Sequence, residues 1–397
     1  MSVRDDDERF ARFRLVEWWD QRRLAEARLV VVGAGALGNE LVKNLALLGM
    51  GQLVVIDFDR VELSNLSRAV LFRPRDAAES KAAVVARAAR DLCSGLDVVA
   101  LQADVVHGVG LGLFRWADVV LGALDNREAR LAVNRACYRV GRPFVDGGID
   151  VLSGMARVFI PPDGACYECT LGEADWRALE QRHSCSLLNR ELIELGHVPT
   201  TPTTASIVGG VQAQEALKLL HGLPTLSGAA FVFEGREHSS YVTTYARSDV
   251  CLSHETLGWI EARAARAVST TGAEALGWAR EALGPRARVE FARELLLGFE
   301  CPRCGAVERR PRPLASASEQ DAMCGCGERR VPLLFHSLAG DEDFLDRPLA
   351  ELGVPPWDVI CGRDGERVVG FELAGDSAAV LGPLAARAPD RAGGPGR

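Results

Sequence analysis

No stretch of this sequence is apolar for long enough to cross a bilayer, and the opening MSVRDDDERF has no apolar core of signal-peptide length. The sequence therefore predicts a cytoplasmic protein with no membrane partner. A basic run is missing as well, and 54 acidic against 46 basic residues give a formal charge of −8. That balance argues against nucleic acid as a partner. An anionic ligand would have to be met by arginines and lysines placed locally. A reducing compartment also disfavours disulfides, so the eleven cysteines are read as metal ligands or nucleophiles before cross-links. At 397 residues, with 48% hydrophobic and 25% charged residues, the chain is of ordinary soluble composition but longer than a typical single domain. One large domain with an extension is expected.

The most informative stretch runs from Leu29 to Asp59, LVVVGAGALGNELVKNLALLGMGQLVVIDFD. An apolar, valine-rich run leads directly into Gly33, Gly35 and Gly38, then into a helically spaced apolar segment and a second strand, Leu53 to Ile56. Strand, tight turn, helix and strand follow in that order. Glycine lets a phosphate approach the backbone, and the amides that open the helix from Ala36 onward would face the anion. Asp57, at the end of the second strand, is placed to accept ribose hydroxyls. Taken alone, the pattern also fits a nicotinamide or flavin enzyme, or a glycine-rich turn with no ligand.

The flanking segments extend this unit in both directions. Glu8 to Arg28 has a helical pattern with an aromatic face suited to the domain or a second subunit. After Asp57, the polar connection FDRVELSNLSRAVLFRPRD is longer than a minimal crossover requires, and such loops at the carboxyl ends of parallel strands handle ligands. Ser80 is expected to cap a helix from Lys81 to Leu92, which puts Lys81 in the first turn, where a cation opposes the helix dipole. Strands are predicted at Val98 to Ala103, Asp118 to Ala123, Phe144 to Ile149 and Met155 to Ile160. Asp125 then falls on the same sheet edge as Gly33 and Asp57. Thr203 or Thr204 should cap an apolar helix ending at His221, followed by strands at Ala229 to Phe233 and Ser240 to Tyr245. The alternation predicts an α/β fold, a Rossmann-like, mostly parallel sheet with helices on both faces and an antiparallel portion.

Beyond residue 255 the chain is Ala- and Glu-rich and reads as helical to about Leu297. Cys301-Pro-Arg-Cys304-Gly and Cys324-Gly-Cys326-Gly follow, two close cysteine pairs each succeeded by glycine, as two turns of a tetrahedral zinc site require. The expected division is a nucleotide-binding α/β domain over 1–255, a helical segment over 256–299, a zinc-ribbon-like module over 300–335, a small region over 336–384 and a disordered tail over 385–397. Cys166 and Cys169 form a further pair that is either a metal half-site or a buried structural feature. Cys93, Cys137 and Cys361 read as small hydrophobes.

The glycine turn, DFDRVELSNLSR, Lys81 and Asp125, in this order, resemble the ThiF family, which includes ubiquitin-activating enzymes. The resemblance covers about residues 8 to 255 and rests on Asp57, Asp59, Val61, Ser64, Asn65, Leu66 and Arg68 within one long pattern. It implies an adenylyltransferase that uses ATP and Mg²⁺ to activate the C-terminal glycine of a ubiquitin-like or sulfur-carrier protein. Asp57 would hold the ribose, Asn65, Arg68 and Lys81 the triphosphate, and Asp125 the magnesium. Arg12, in RFAR, would reach a phosphate, in some members across a homodimer interface. This chain departs from the family there, with Phe13 where glutamine is usual and Ala69 where another often follows the arginine.

The family carries a second cysteine pair where this chain has Cys251-Leu-Ser-His254, so Cys166, Cys169, Cys251 and His254 are expected to hold one Zn²⁺. Cys301, Cys304, Cys324 and Cys326 would hold another. Cys185, in the polar segment between Gly172 and Pro202, stands where resembling enzymes place a reactive cysteine, and a thioester with the carrier is expected there. Sulfur-carrier activation without a stable thioester is the alternative, with a dehydrogenase or a scaffold as rivals on the same fold. The module after residue 300 is assigned the recruitment of a conjugating enzyme.

Overall fold

The computed structural model describes residues 8–177, 179, 199–318 and 320–387. Two sheets organise them. The first has the order β3-β2-β1-β4-β5-β6-β7-β8, built from β1 (Arg28–Val32), β2 (Gln52–Ile56), β3 (Asp97–Leu101), β4 (Val119–Gly122), β5 (Phe144–Ile149), β6 (Ser153–Phe159), β7 (Ala229–Glu234) and β8 (Ser239–Thr244). β1 to β5 pair in parallel and β5 to β8 antiparallel. Helices α1 (Gln21–Glu26), α2 (Ala36–Leu48), α3 (Lys81–Leu92), α4 (Leu111–Trp116), α5 (Arg127–Arg139) and α6 (Pro202–His221) accompany it.

β1 and β2 are buried throughout, which explains their unbroken Val, Leu and Ile runs: a strand covered on both faces has no polar side to alternate with. Leu29, Val31, Leu53 and Val55 pack into one core with Leu41 and Leu45 of α2. Val30, Val32, Val54 and Ile56 face the other core, with Phe114 of α4 and Val133 of α5. β1 lies between β2 and β4, so the connections leave it in opposite directions and open a crevice at its carboxyl end.

Several local expectations shift. Within Glu8 to Arg28 the helix is not continuous: Glu8 and Arg9 are helical, turns and a 3₁₀ segment follow, and Gln21–Glu26 forms a separate α-helix, started by Asp20, which accepts the Arg22 and Arg23 amides. Thr201, with Pro202 as the first helical residue, caps α6 in place of Thr203 or Thr204. Ser80 precedes α3 without a side-chain capping bond.

The larger correction concerns the chain beyond residue 255. Of the stretch read as helical, only α7 (Gly272–Leu283) is helix, started by a Thr271–Glu274 capping box. β9 (Ile260–Arg263) precedes it and β10 (Arg288–Glu300) follows. With β11 (Val307–Arg312), β12 (Val331–Leu338), β13 (Val359–Asp364) and β14 (Arg367–Leu373) they form a second sheet, β11-β10-β13-β14-β9, with β12 also paired to β10. β10 buries Val289, Phe291, Leu295, Leu296 and Phe299. Pairing with three strands outweighs the helical propensity of its Ala and Glu. The divisions at 299/300 and 335/336 therefore cut through one sheet, and the cysteine module is an excursion between β10 and β12. The tail is described as far as Arg387, in a 3₁₀ helix, Gly382–Arg387.

The second sheet is fastened to the first unit. Trp357, Val359, Leu381 and Leu384 belong to the same buried cluster as Val30 and Phe144. The first amides of α4 find their acceptors across this junction, Leu111 N on Asp358 Oδ1 at 2.8 Å and Gly112 N on the Trp357 carbonyl at 2.9 Å. Arg293 donates to the Val106 and Val109 carbonyls at 3.0 and 2.9 Å, and Arg115 pairs with Glu372. Among the described residues no helix is long and apolar enough to cross a membrane.

Candidate active site and metal centres

At the carboxyl end of β1 the chain turns through Gly33, Gly35 and Gly38. Gly33 follows β1 at φ +99°, and a Cβ there would lie 2.3 Å from the Ala123 carbonyl oxygen. At Gly38 a Cβ would meet the Gly33 carbonyl oxygen at 2.0 Å, whereas one at Gly35 would meet nothing within 4 Å. Two glycines thus let the turn fold onto itself and onto β4. Gly35 leaves open space at the head of α2, where free helix amides favour an anion.

Asp57 braces this turn from the end of β2. Its Oδ2 accepts Ala34 N at 2.7 Å and its Oδ1 accepts Asp59 N at 2.8 Å. Burial raises its carboxyl above the ordinary value, against the lowering pull of the Lys81 charge and the two amides. Lys81, at the start of α3, pairs with Asp59 at 2.8 Å. Asn65 is buried and accepts Glu62 N at 3.1 Å, which fixes the 3₁₀ turn Leu63–Ser67. From that turn Arg68 sends one nitrogen to the Ser64 carbonyl at 3.3 Å and remains partly exposed. Asp125, past the end of β4, is exposed and takes only a 3.3 Å contact from Asn126 Nδ2 among the described residues. An exposed carboxylate of this kind is a ligand type suited to Mg²⁺, which binds through one or two carboxylates together with phosphate oxygens.

Arg12 is not part of this assembly. The arm that carries it lies at the far end of α2, where Phe10 packs against Gly49 and Arg9 donates to the Leu92 carbonyl. α2 has 13 residues, so roughly 20 Å separates that end from the glycine turn. Within one chain Arg12 does not serve the site. Cys185, with its neighbours Arg182 and His183, lies outside the described residues.

Sequence reasoning missed Asn39. Fully buried, it donates to the Ala34 and Gly35 carbonyls at 2.8 and 2.9 Å and accepts Leu71 N at 2.9 Å. One side chain thereby ties the glycine turn to the connection that carries Asn65 and Arg68. The signal was a lone amide on the apolar face of α2. Also missed were Arg130, Asp146 and Arg157, which are joined beneath the ends of β4 and β5.

The cysteines assemble as two sets of four. In the first, Cys166 Sγ lies 3.8 Å from Cys169 Sγ and 3.5 Å from Cys251 Sγ, and His254 Nε2 is 3.4 Å from Cys169 Sγ. In the second, Cys301 faces Cys326 at 3.5 Å and Cys304 faces Cys324 at 3.6 Å. Within each set all ligand atoms lie within 4.8 Å of one another. Tetrahedral zinc with bonds of about 2.3 Å to sulfur spaces its thiolates about 3.7 Å apart, so both sets fit.

The surroundings act differently on the two sets. Burial raises Cys166 and Cys251, a penalty that a bound cation reverses. The Asn134 amide nitrogen, which has no oxygen or nitrogen acceptor, stands against Cys166, and Ser248 N points to Cys169 Sγ at 3.4 Å. In the second set the backbone amide of Cys304 lowers Cys301 and that of Cys326 lowers Cys324 to about 6. Gly305 and Gly327, at φ +70° and +83°, allow each of these turns to close. Arg330 hydrogen-bonds Cys324 from outside.

Comparison with known proteins agrees with this geometry. The ThiF family model matches residues 8–251. The SAMP-activating enzyme E1 of Haloferax volcanii is 38% identical over 210 residues, 50% of this chain and 69% of that protein. The sulfur carrier protein adenylyltransferase of Thermus thermophilus is 33% identical over 237 residues, 58% of this chain and 83% of that protein. Mouse adenylyltransferase and sulfurtransferase MOCS3 is 37% identical over 216 residues, 54% of this chain, and the chain spans only 44% of its length. Among solved structures, E. coli MccB with MccA-N7isoASN superposes with a TM-score of 0.52 at 21% identity, over 62% of this chain and 75% of that one, a likeness of fold. The family match runs through the glycine turn, the Asp57 to Arg68 connection, Lys81 and Asp125 and covers more than half of the sequence: the chain belongs to the ThiF family.

Proposed function

We propose that this protein uses ATP to adenylate the C-terminal glycine of a ubiquitin-like or sulfur-carrier protein. The observation that supports the reading is an open glycine turn at the switch point of a parallel sheet, braced by Asp57, with Lys81 paired to the neighbouring Asp59. In the reaction a carboxylate oxygen of the carrier bonds to the α-phosphorus of ATP. The bond from that phosphorus to the bridging oxygen breaks, and pyrophosphate leaves with the electron pair. The nucleophile is already ionised at neutral pH, so no general base is required. Both reactants are anionic, and Arg68 and Lys81 offset their repulsion as charge builds on the leaving group. Asp57 would hold the ribose, and Asn65 the turn that presents Arg68. Magnesium on Asp125 would neutralise phosphate oxygens.

Around this chemistry the finer assignments are these. Cys185 takes the carrier from AMP as a thioester. A homodimer lets Arg12 of one chain reach the other's site, the arrangement favoured by its separation from its own. Two zinc ions serve structural roles, each enclosed by four protein ligands. The module between β10 and β12 recruits a conjugating enzyme, and the many reduced thiols suit the cytoplasm.

A nicotinamide-dependent dehydrogenase, which the glycine turn alone would allow, has no use for the polar connection and its Arg68. Exchange of labelled pyrophosphate into ATP, tested with small carriers ending in Gly-Gly, decides between them. NADH binding without exchange rejects adenylation, and neither activity leaves the scaffold.

A further inference from the structure

Asp125 is exposed and its carboxylate takes a hydrogen bond only from Asn126 among the described residues, so its position depends chiefly on its backbone. That backbone is held from below. Arg130, on the first turn of α5, reaches back under the carboxyl ends of β4 and β5. Its Nη2 donates to the Leu124 carbonyl, one residue before Asp125, and to the Gly147 carbonyl at 2.9 Å, while its Nε donates to Asp146 Oδ1 at 3.1 Å. Asp146 is fully buried, and its other oxygen accepts Arg157 Nε at 3.0 Å. Arg157 in turn lies over the ring of Tyr167, 4.9 Å from its centroid, beside Cys166.

We infer that Arg130, oriented by Asp146, is a positioning residue that sets the Leu124–Asp125 backbone and thereby the affinity of the site for the divalent cation of the nucleotide. The inference rests on the adenylation reading for its meaning. It stands on geometry that a purely structural ion pair does not need. Pairing Asp146 would require only one of the guanidinium's edges, yet the nitrogen nearest the site is committed to carbonyls on two separate strand ends. A planar donor fork can hold both at once, whereas an ammonium can satisfy only part of the arrangement. The buried Asp146 carboxylate, paired with both Arg130 and Arg157, holds the Arg130 guanidinium in this orientation.

The test uses the full chain and its Arg130→Gln, Arg130→Lys and Asp146→Asn variants, with Mn²⁺ as the probe. Electron paramagnetic resonance follows Mn²⁺ binding in the presence of a non-hydrolysable ATP analogue, and equilibrium binding of the analogue is measured separately in EDTA. Arg130→Gln is expected to weaken Mn²⁺ binding by roughly tenfold or more, the usual scale for removing a group that orients a ligand, with metal-free nucleotide binding retained. Arg130→Lys should fall between it and the wild type, and Asp146→Asn should weaken Mn²⁺ in the same direction. If Arg130→Gln is too unstable to purify, Arg130→Lys carries the comparison. Unchanged Mn²⁺ affinity in folded variants, or an equal loss of metal-free nucleotide binding, overturns the inference. These measurements need no turnover. Failure of the wild type to exchange pyrophosphate would defeat the adenylation reading without deciding this one.

Discussion

Lys81 Nζ lies 2.8 Å from Asp59 Oδ2, with the lysine side chain 14% exposed and the aspartate 46%. The cation sits at the start of α3, where the helix dipole disfavours it, and Asp59 offsets that cost. The pair keeps the lysine largely buried, and Asp57, two positions before Asp59, feels the same charge. Lys81→Ala should lower pyrophosphate exchange by about 10²- to 10³-fold, the scale for removing one fixed donor to a developing charge, with Lys81→Arg intermediate. Thermal melts of both variants check that the fold persists. Exchange at the wild-type rate in Lys81→Ala would remove this residue from the site.

The junction between the sheets changes what can be deleted. Loss of everything after residue 300 would strip the α4 amides of Asp358 and Trp357, leave Arg115 without Glu372, and expose the cluster shared by Val30, Phe144 and Trp357. That truncation is expected to yield insoluble protein. The cysteine module is different, because Glu300 and Val331 are directly paired across β10 and β12. Replacing residues 301–330 by a short Gly-Asn turn should keep the fold and the exchange activity, while zinc measured by mass spectrometry falls from two ions per chain to one. Two ions in the shortened protein, or none in the wild type purified without chelator, would contradict the metal assignment.

Legibility in the sequence followed how local the determinants are. The glycine turn, Asp57 and the strands at β1 and β2 were readable because periodicity and turn chemistry are written in adjacent residues. Asn39 and Arg130 were not, since their partners lie at Leu71 and Gly147, distant in sequence and joined only by the fold. β10 was misread for a related reason: its partners β12 and β13 begin at Val331 and Val359, more than thirty residues beyond its end at Glu300, and composition alone favoured helix. The cysteine sets came through because zinc demands short, recognisable spacings.

Asp57 ties function to stability. Burial raises its carboxyl above 3.8 in the folded chain. Between that value and the raised one, the native state keeps a proton that the unfolded chain has released, so this residue's contribution to stability declines as pH rises through the window. Urea denaturation of the wild type and Asp57→Ala at a series of pH values from about 4 upward checks this. The stability advantage of the wild type should shrink with rising pH and then level off. An advantage that grows with pH would mean that the amides of Ala34 and Asp59 and the Lys81 charge outweigh burial.

The last expectation concerns Cys185. Adenylation and thiol capture are separable steps: the first needs only the crevice, whereas the second needs a sulfur to attack the carbonyl carbon of the acyl adenylate and expel AMP. Cys185 belongs to the stretch between Cys169 and the start of α6 at Pro202, so both ends of that connection are anchored, one at the first cysteine set and the other by the Thr201 cap. Cys137 and Cys361 are poor rivals, because burial raises their thiols, Cys361 to about 11. Cys185→Ala should therefore retain pyrophosphate exchange yet lose a carrier adduct that the wild type shows on non-reducing gels and that thiol reductant releases. Persistence of the adduct in the variant would assign the chemistry to another cysteine. A wild type that exchanges pyrophosphate but never forms the adduct would leave release of the adenylated carrier, for sulfur transfer elsewhere, as the enzyme's end point.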